Sequence, residues 1–296
     1  MNISISSKMR SAYRHGRSFL PLCLAAFLLL SCGNSENKLG KEKIMVSIEP
    51  LRYFTEQIAG NRFEVSSIVP SDYSPESYKP TPQQLMELGD SKLYFKVGNL
   101  GFETTWLEQA VKDHANLKVV DTSDSMRIGS HGMQLSTFDP HTWTSAQNAK
   151  MICRTICVAL CRQDSAGAAV YRQNLAKTIR RITEVENRIH KLLTNVPSRT
   201  FITVHPSLSY FADEYGLRQL CIEKEGKESA PADLEQLVRQ AKDEHVGVIL
   251  LQKQFSVSQA KTIAHETGAR PVYINPLGYD WPKEMLAIAK VIKNGQ

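Results

Sequence analysis

Four short segments carry side chains suited to gripping a metal ion, and each follows a β-rich run. The first is Ser74-Pro75-Glu76-Ser77-Tyr78-Lys79-Pro80-Thr81-Pro82, where three prolines stiffen the loop and Glu76 offers a carboxylate. The second is Asp139-Pro140-His141-Thr142-Trp143, with an imidazole held between a proline and a tryptophan. The third is Thr203-Val204-His205-Pro206, a histidine directly after an apolar strand-like run. The fourth, Asn275-Pro276-Leu277-Gly278-Tyr279-Asp280, offers an amide oxygen at Asn275 or a carboxylate at Asp280. Taken singly, each has an ordinary reading: a solvated loop carboxylate, a histidine packed on an aromatic ring, a core histidine, a turn. Together, two imidazoles, a carboxylate and an amide oxygen make a donor set for a divalent transition metal. Asp139 is placed to cap its turn or to orient the His141 ring from behind. His114, His190, His245 and His265 lie in polar helical stretches and read as surface residues, and His131 could only assist.

These segments converge only if the elements carrying them share a cleft. Eight β-rich runs alternate with helical stretches: Ile44–Ile48, Phe63–Val69, Lys92–Val97 and Leu117–Thr122, then Thr200–Val204, Arg218–Ile222, Val246–Leu251 and Pro271–Ile274. Alternation of this kind predicts an α/β fold with parallel sheets. Two sets of four predict two lobes, each a four-stranded parallel sheet flanked by helices. Between them, Tyr171, Leu175, Ile179, Ile182, Val185, Ile189 and Leu192 step by three or four, the stripe of one long helix. The expected division is 44–164 for the N-terminal lobe, 165–194 for a rigid linking helix and 195–296 for the C-terminal lobe. In open parallel sheets ligands bind beyond the carboxyl ends of strands. All four segments lie there, two from each half.

The 296 residues carry 36 basic and 30 acidic side chains, a net charge of +6. Residues 1–31 hold four of the basic ones and no acidic ones, so the remainder has 32 against 30, a net +2. That near balance predicts no nucleic-acid partner. Lys8 to Arg17 lead into an apolar run, Phe19 to Leu30, too short to span a bilayer and shaped like an export signal. It ends Leu29-Leu30-Ser31-Cys32, which resembles a bacterial lipobox with Cys32 as the lipidated residue. Residues 32–43 then read as a polar tether. The expectation is a monomeric extracytoplasmic body on the periplasmic face, attached to a membrane by lipid. Cys153, Cys157 and Cys161 share one helical stripe and read as small buried residues, with no disulfide required.

Along nearly its whole mature length, Ile44 to Ile292, the chain resembles the cluster A-I solute-binding lipoproteins of bacterial ABC transporters for zinc and manganese. The resemblance rests on Ser74–Pro82, on Asp139–Trp143, and on His205 followed by Tyr210-Phe211 and Tyr215-Gly216-Leu217. It also rests on Asn275–Gly278, the Gly98-Asn99-Leu100-Gly101-Phe102-Glu103 turn with Trp106, and the long helix. It implies a metal site of Glu76, His141, His205 and Asn275, and a membrane permease as partner. It also marks departures. Glu76 stands where the family usually has His, Asn275 where it has Asp, Gln252 where Glu is common, and Lys79 where Glu follows the Tyr. Three histidines and an aspartate carry a ligand charge of −1. One glutamate, two histidines and an asparagine carry the same. The charge has changed lobe while its sum is kept, which favours a retained site.

The resemblance thus implies capture of a divalent metal in the interlobe cleft and delivery to the permease. Zinc leads and manganese is the alternative, because imidazole suits zinc and oxygen donors move a site toward manganese. The His- and acid-rich loop of zinc-specific relatives is reduced here to Asp121, Asp124 and His131 within residues 121–138. Two other readings stand beside it: a metal-free adhesin or structural lipoprotein on the same fold, and a metal-dependent hydrolase. The hydrolase lacks an HExxH segment and leaves only Asp139 or Asp280 as a general base. With a stiff linking helix, a small rearrangement on binding is expected, concentrated in loops of the second lobe.

Overall fold

The computed structural model describes residues 41–112, 114–124, 139–223 and 227–295. Cys32 and His131 therefore lie outside the described residues. The first sheet contains β1 (Glu42–Ile48), β2 (Phe63–Val69), β3 (Leu93–Lys96) and β4 (Lys118–Asp121), in the order β2-β1-β3-β4. The second contains β5 (Thr200–Thr203), β6 (Arg218–Cys221), β7 (Val248–Leu251) and β8 (Arg270–Tyr273), in the order β6-β5-β7-β8. Every pairing is parallel. The predicted fold class is thus the observed one. In each sheet the first strand sits between the second and third, so the strand order reverses beside it, which is where such sheets open a crevice. Ile44, Val46 and Ile48 of β1, and Val248, Ile249 and Leu250 of β7, are fully buried. Apolar strands buried on both faces are what parallel sheets under helices require.

The helices are α1 (Glu49–Ala59), α2 (Pro82–Asp90), α3 (Glu108–Lys112), α4 (Ala146–Gln163), α5 (Ala168–Leu193), α6 (Ser209–Glu214), α7 (Pro231–Asp243), α8 (Ser258–Thr267) and α9 (Trp281–Asn294). Among the described residues none is long and apolar enough to cross a membrane. The long helix α5 has 26 residues, about 39 Å at 1.5 Å each. It starts at Ala168 because Ser165–Gly167 form a separate 3-10 turn, closed by Asp164 accepting from the Gly167 N–H. α5 packs against α1, α4 and α9. The C-terminal helix thus returns to the central helical layer. One apolar core accordingly runs from β1 and α1 through α4 and α5 to Phe201, Phe211, Val248 and α9, and a smaller one lies under α7 and α8. A shared core ties the two sheets more firmly than a linking helix alone would.

The cysteine stripe faces this core. Cys153 and Cys157 are buried on α4 and free, and burial pushes the Cys157 thiol up to about 11. Of the histidines read as surface residues, His190, His245 and His265 are exposed. His114 is half-buried, packed so closely that a Cβ at Gly89 would stand 2.5 Å from its ring.

Arg62 fastens the entry of β2 to the α4–α5 junction. Its guanidinium lies 2.6 Å from Asp164 and its Nε donates to Tyr171 Oη at 3.0 Å. The hydrogen bond from Arg62 holds the Asp164 carboxyl down at about 2, below its usual 3.8. A depressed carboxyl stabilises the fold above its unfolded pKa and loses that contribution as pH falls through the folded one. Stability, read as the urea midpoint, should therefore fall between pH 4 and pH 2. Arg62→Ala should be less stable at neutral pH and flatter across that interval.

Candidate metal centre

Glu76 is placed by a loop anchored at both ends. At its far end Thr81 caps α2 by accepting from the Gln84 N–H at 3.2 Å, and Gln84 Oε1 accepts from the Thr81 N–H at 2.9 Å. This reciprocal pair satisfies two of the helix's free donors. Gln84 also donates to Ile68 O at 2.7 Å, tying the helix to β2. On the other side stands the glycine-rich turn after β3. Gly98 and Asn99 have φ of 97° and 65°, a conformation glycine adopts freely and asparagine tolerates. The buried Glu103 carboxylate accepts from the N–H groups of Val97 and Gly98, each at 2.8 Å, and from the Ser47 hydroxyl. Burial pushes its carboxyl up against the pull of those donors. The turn meets the Glu76 loop through Phe102 N–H donating to Pro75 O at 3.1 Å and Gly101 N–H donating to Glu76 Oε2 at 3.2 Å. A Cβ at position 101 would lie 2.2 Å from Glu76 O, so this approach admits only glycine.

His141 precedes a 3-10 turn, Thr142–Thr144, that leads into α4. Ser145 caps α4 by accepting from the Asn148 N–H at 3.1 Å. Asp139 Oδ1 lies 2.7 Å from His141 Nδ1 and accepts from the His141 N–H at 2.9 Å. Burial raises the Asp139 carboxyl, and the hydrogen bonds from His141 outweigh that, leaving it below its usual value. Behind His141 two tryptophans stitch the halves together. Trp143 Nε1 donates to Pro276 O at 2.9 Å, and Trp281 Nε1 donates to Trp143 O at 2.6 Å. Both rings are about 1% exposed. His205 follows β5, with its Nδ1 2.9 Å from Glu223 Oε2 and its ring stacked on Phe255 at 4.3 Å.

Glu76, His141 and His205 each bring a donor atom within 4.8 Å of the others, a grouping found nowhere else among the described residues. Glu76 Oε1 and His205 Nε2 are buried with no hydrogen-bond partner. The cavity between them is also lined by Trp143, Ser207, Gln252, Phe255 and Pro276, and encloses about 10 Å³. That is room for one ion or one water.

The other sequence candidates divide. Asn275 Oδ1 is buried and unpartnered, in the turn whose next two residues, Pro276 and Leu277, line the cavity. Gln252 lines the cavity, but its Oε1 accepts from Ser207 Oγ at 3.2 Å. Asp280 is exposed and caps α9, accepting from the Lys283 N–H at 3.2 Å. Sequence reasoning missed Glu223, Phe255 and Gln254. Gln254 reaches across the cleft to donate to Ser71 O at 2.5 Å. The signal for Glu223 was present, since it too is a ligand-type side chain directly after a strand.

Two parallel sheets on a common helical layer, with an ion-sized cavity between their carboxyl edges, define a two-lobe solute-binding protein. The chain belongs to the ZnuA family, described as zinc-uptake complex component A, periplasmic, whose model matches residues 44–295. A crystal structure of ZnuA superposes with a TM-score of 0.82 at 35% identity, covering 86% of this chain and 99% of that one. The high-affinity zinc uptake protein ZnuA of Bacillus subtilis is 29% identical over 281 residues, 86% of each chain. A putative metal-binding protein of Chlamydia trachomatis serovar D is 27% identical over 277 residues, 90% of this chain and 98% of that one.

Proposed function

We propose that this protein captures one divalent transition metal ion in the cleft and hands it to the permease of an ABC transporter. Zinc is the favoured cargo and manganese the alternative. Among relatives, the Bacillus subtilis protein is a zinc uptake component, and one from Halalkalibacterium halodurans is a manganese-binding lipoprotein. The single observation that carries the reading is the meeting of Glu76, His141 and His205, with Glu76 Oε1 and His205 Nε2 left unpartnered beside an ion-sized space. Unpartnered buried donors are costly unless something fills the site. Glu76 supplies the charge, His141 and His205 supply neutral nitrogen, and Asn275 Oδ1 closes the fourth position of a tetrahedral set.

Binding fits this set better than catalysis. The carboxylates nearest the imidazoles, Asp139 and Glu223, are engaged at Nδ1, and neither is free to act as a general base on a metal-bound water. We place the protein outside the cytoplasmic membrane, monomeric and held by lipid at Cys32. The shared core and the tryptophan stitches support a small rearrangement on binding.

Metal-stripped protein reloaded with zinc or manganese should hold one equivalent by elemental analysis. An ion at 100 times its Kd should add about 2.7 kcal/mol of stability, read as a raised melting temperature. Absence of a bound equivalent and of any shift with every divalent ion tried would remove this reading. A metal-free adhesin or structural role on the same fold would then lead.

A further inference from the structure

We infer that Glu223 is a positioning residue for the metal site, holding His205 in the tautomer and orientation that aim Nε2 into the cavity. The inference rests on the metal-capture reading, and its own basis is the pairing of two strands of the second sheet. β5 pairs β6 with Thr200 beside Arg218 and Thr203 beside Cys221. Past the strand ends the two segments stay bonded, but the regular ladder stops, because two consecutive N–H groups turn to the same neighbour. Ile222 N–H donates to Thr203 O at 2.9 Å, and Glu223 N–H donates to Val204 O at 3.0 Å. These bonds hold the Glu223 backbone against Val204, the residue before His205. Backbone pairing brings the two residues together, and their side-chain rotamers complete the contact at 2.9 Å.

The contact fixes the chemistry of the ring. A carboxylate only accepts, so the 2.9 Å contact at Nδ1 requires the proton on Nδ1. A neutral ring protonated there presents its lone pair at Nε2, the atom that is buried and unpartnered at the cavity. Phe255, stacked at 4.3 Å and 7° from parallel, fixes the ring plane but cannot choose between the nitrogens. Glu223 makes that choice. Asp139 does the same for His141, but from two residues away within one turn. Glu223 does it from a neighbouring strand, 18 residues on, so the loop after β6 and the metal site share one hydrogen bond.

Two readouts on the full chain test this. Long-range ¹H–¹⁵N spectra of the metal-free protein, at a pH where the ring is neutral, should show His205 protonated at Nδ1. Glu223→Ala should move it toward the Nε2–H form, and Glu223→Gln, whose amide oxygen still accepts, should keep it at Nδ1. In zinc titrations against a competing chelator, Glu223→Ala should bind about 10–100-fold more weakly. Glu223→Gln should recover part of that loss, while the metal-free melting temperatures of the two variants stay close together. A wild-type ring already protonated at Nε2, or Glu223→Ala with unchanged tautomer and affinity, overturns the inference. If His205→Ala loses zinc while Glu223→Ala does not, the inference fails and the metal site stands. If the wild type takes up no ion at all, both fail.

Discussion

Glu76→Ala is expected to weaken zinc binding by more than about 100-fold, and Glu76→His to weaken it nearly as much, although histidine is an excellent zinc ligand. The reason is charge. Among the three side chains whose donor atoms meet, Glu76 alone carries a negative charge. Two unit charges 4 Å apart in a protein-like medium interact by about 4 kcal/mol, and each 1.4 kcal/mol is tenfold in affinity. Replacing Glu76 by a neutral ligand leaves a dication facing only neutral donors. Returning a carboxylate on the opposite side should cancel the loss. Asn275→Asp alone should tighten binding, and Glu76→His with Asn275→Asp should fall near the wild type. Chelator-competition titrations of the four proteins form a double-mutant cycle. A double variant as weak as Glu76→His would show that charge is not conserved across the cleft, and would remove Asn275 from the ligand set.

Trp281→Ala should cost about 3–5 kcal/mol of stability, the range for emptying a large buried aromatic site. For a chain of this size the melting temperature should drop by about 10 °C. Trp281 opens α9, packs 5.5 Å from Phe54 and donates to Trp143 O, so the change cuts a core contact and a buried hydrogen bond together. Trp281→Phe separates the two: it keeps most of the volume and forfeits the N–H, for about 1 kcal/mol. Urea unfolding of the pair measures the split. Equal losses in both variants would mean that the hydrogen bond, not the packing, carries the stitch.

The sheets were legible because parallel strands buried on both faces must be written in runs of Val, Ile, Leu and Phe, and helices must separate them. All eight runs appear as strands, most shorter by a residue or two, with β1 extended back to Glu42 and β8 to Arg270. The meeting of Glu76, His141 and His205 was legible from one rule, that ligands gather beyond strand carboxyl ends; the same rule offered Asn275, whose place in the ligand set is a proposal. The same rule could have raised Glu223. Its pairing with His205 was not readable, because nothing local in the residues says which strand will lie beside β5. The return of α9 to the central layer was hidden likewise. Its apolar stripe says that it is covered, and not by what. Asp280 misled in a simpler way, since a carboxylate before Trp281-Pro282 serves equally as a helix cap.

The room beside Glu76, His141 and His205 is about that of one water, so an ion that meets all three donors sheds water to do so. The side chains must repay the loss of that water. Magnesium holds its waters tenaciously, and calcium asks for six to eight oxygens. Two imidazole nitrogens and a few oxygens repay neither. Imidazole nitrogen repays the dehydration of zinc far better than that of magnesium or calcium, so the donor set itself favours a transition metal. On the proposed function, the permease is offered an ion held by protein side chains in place of part of its water shell.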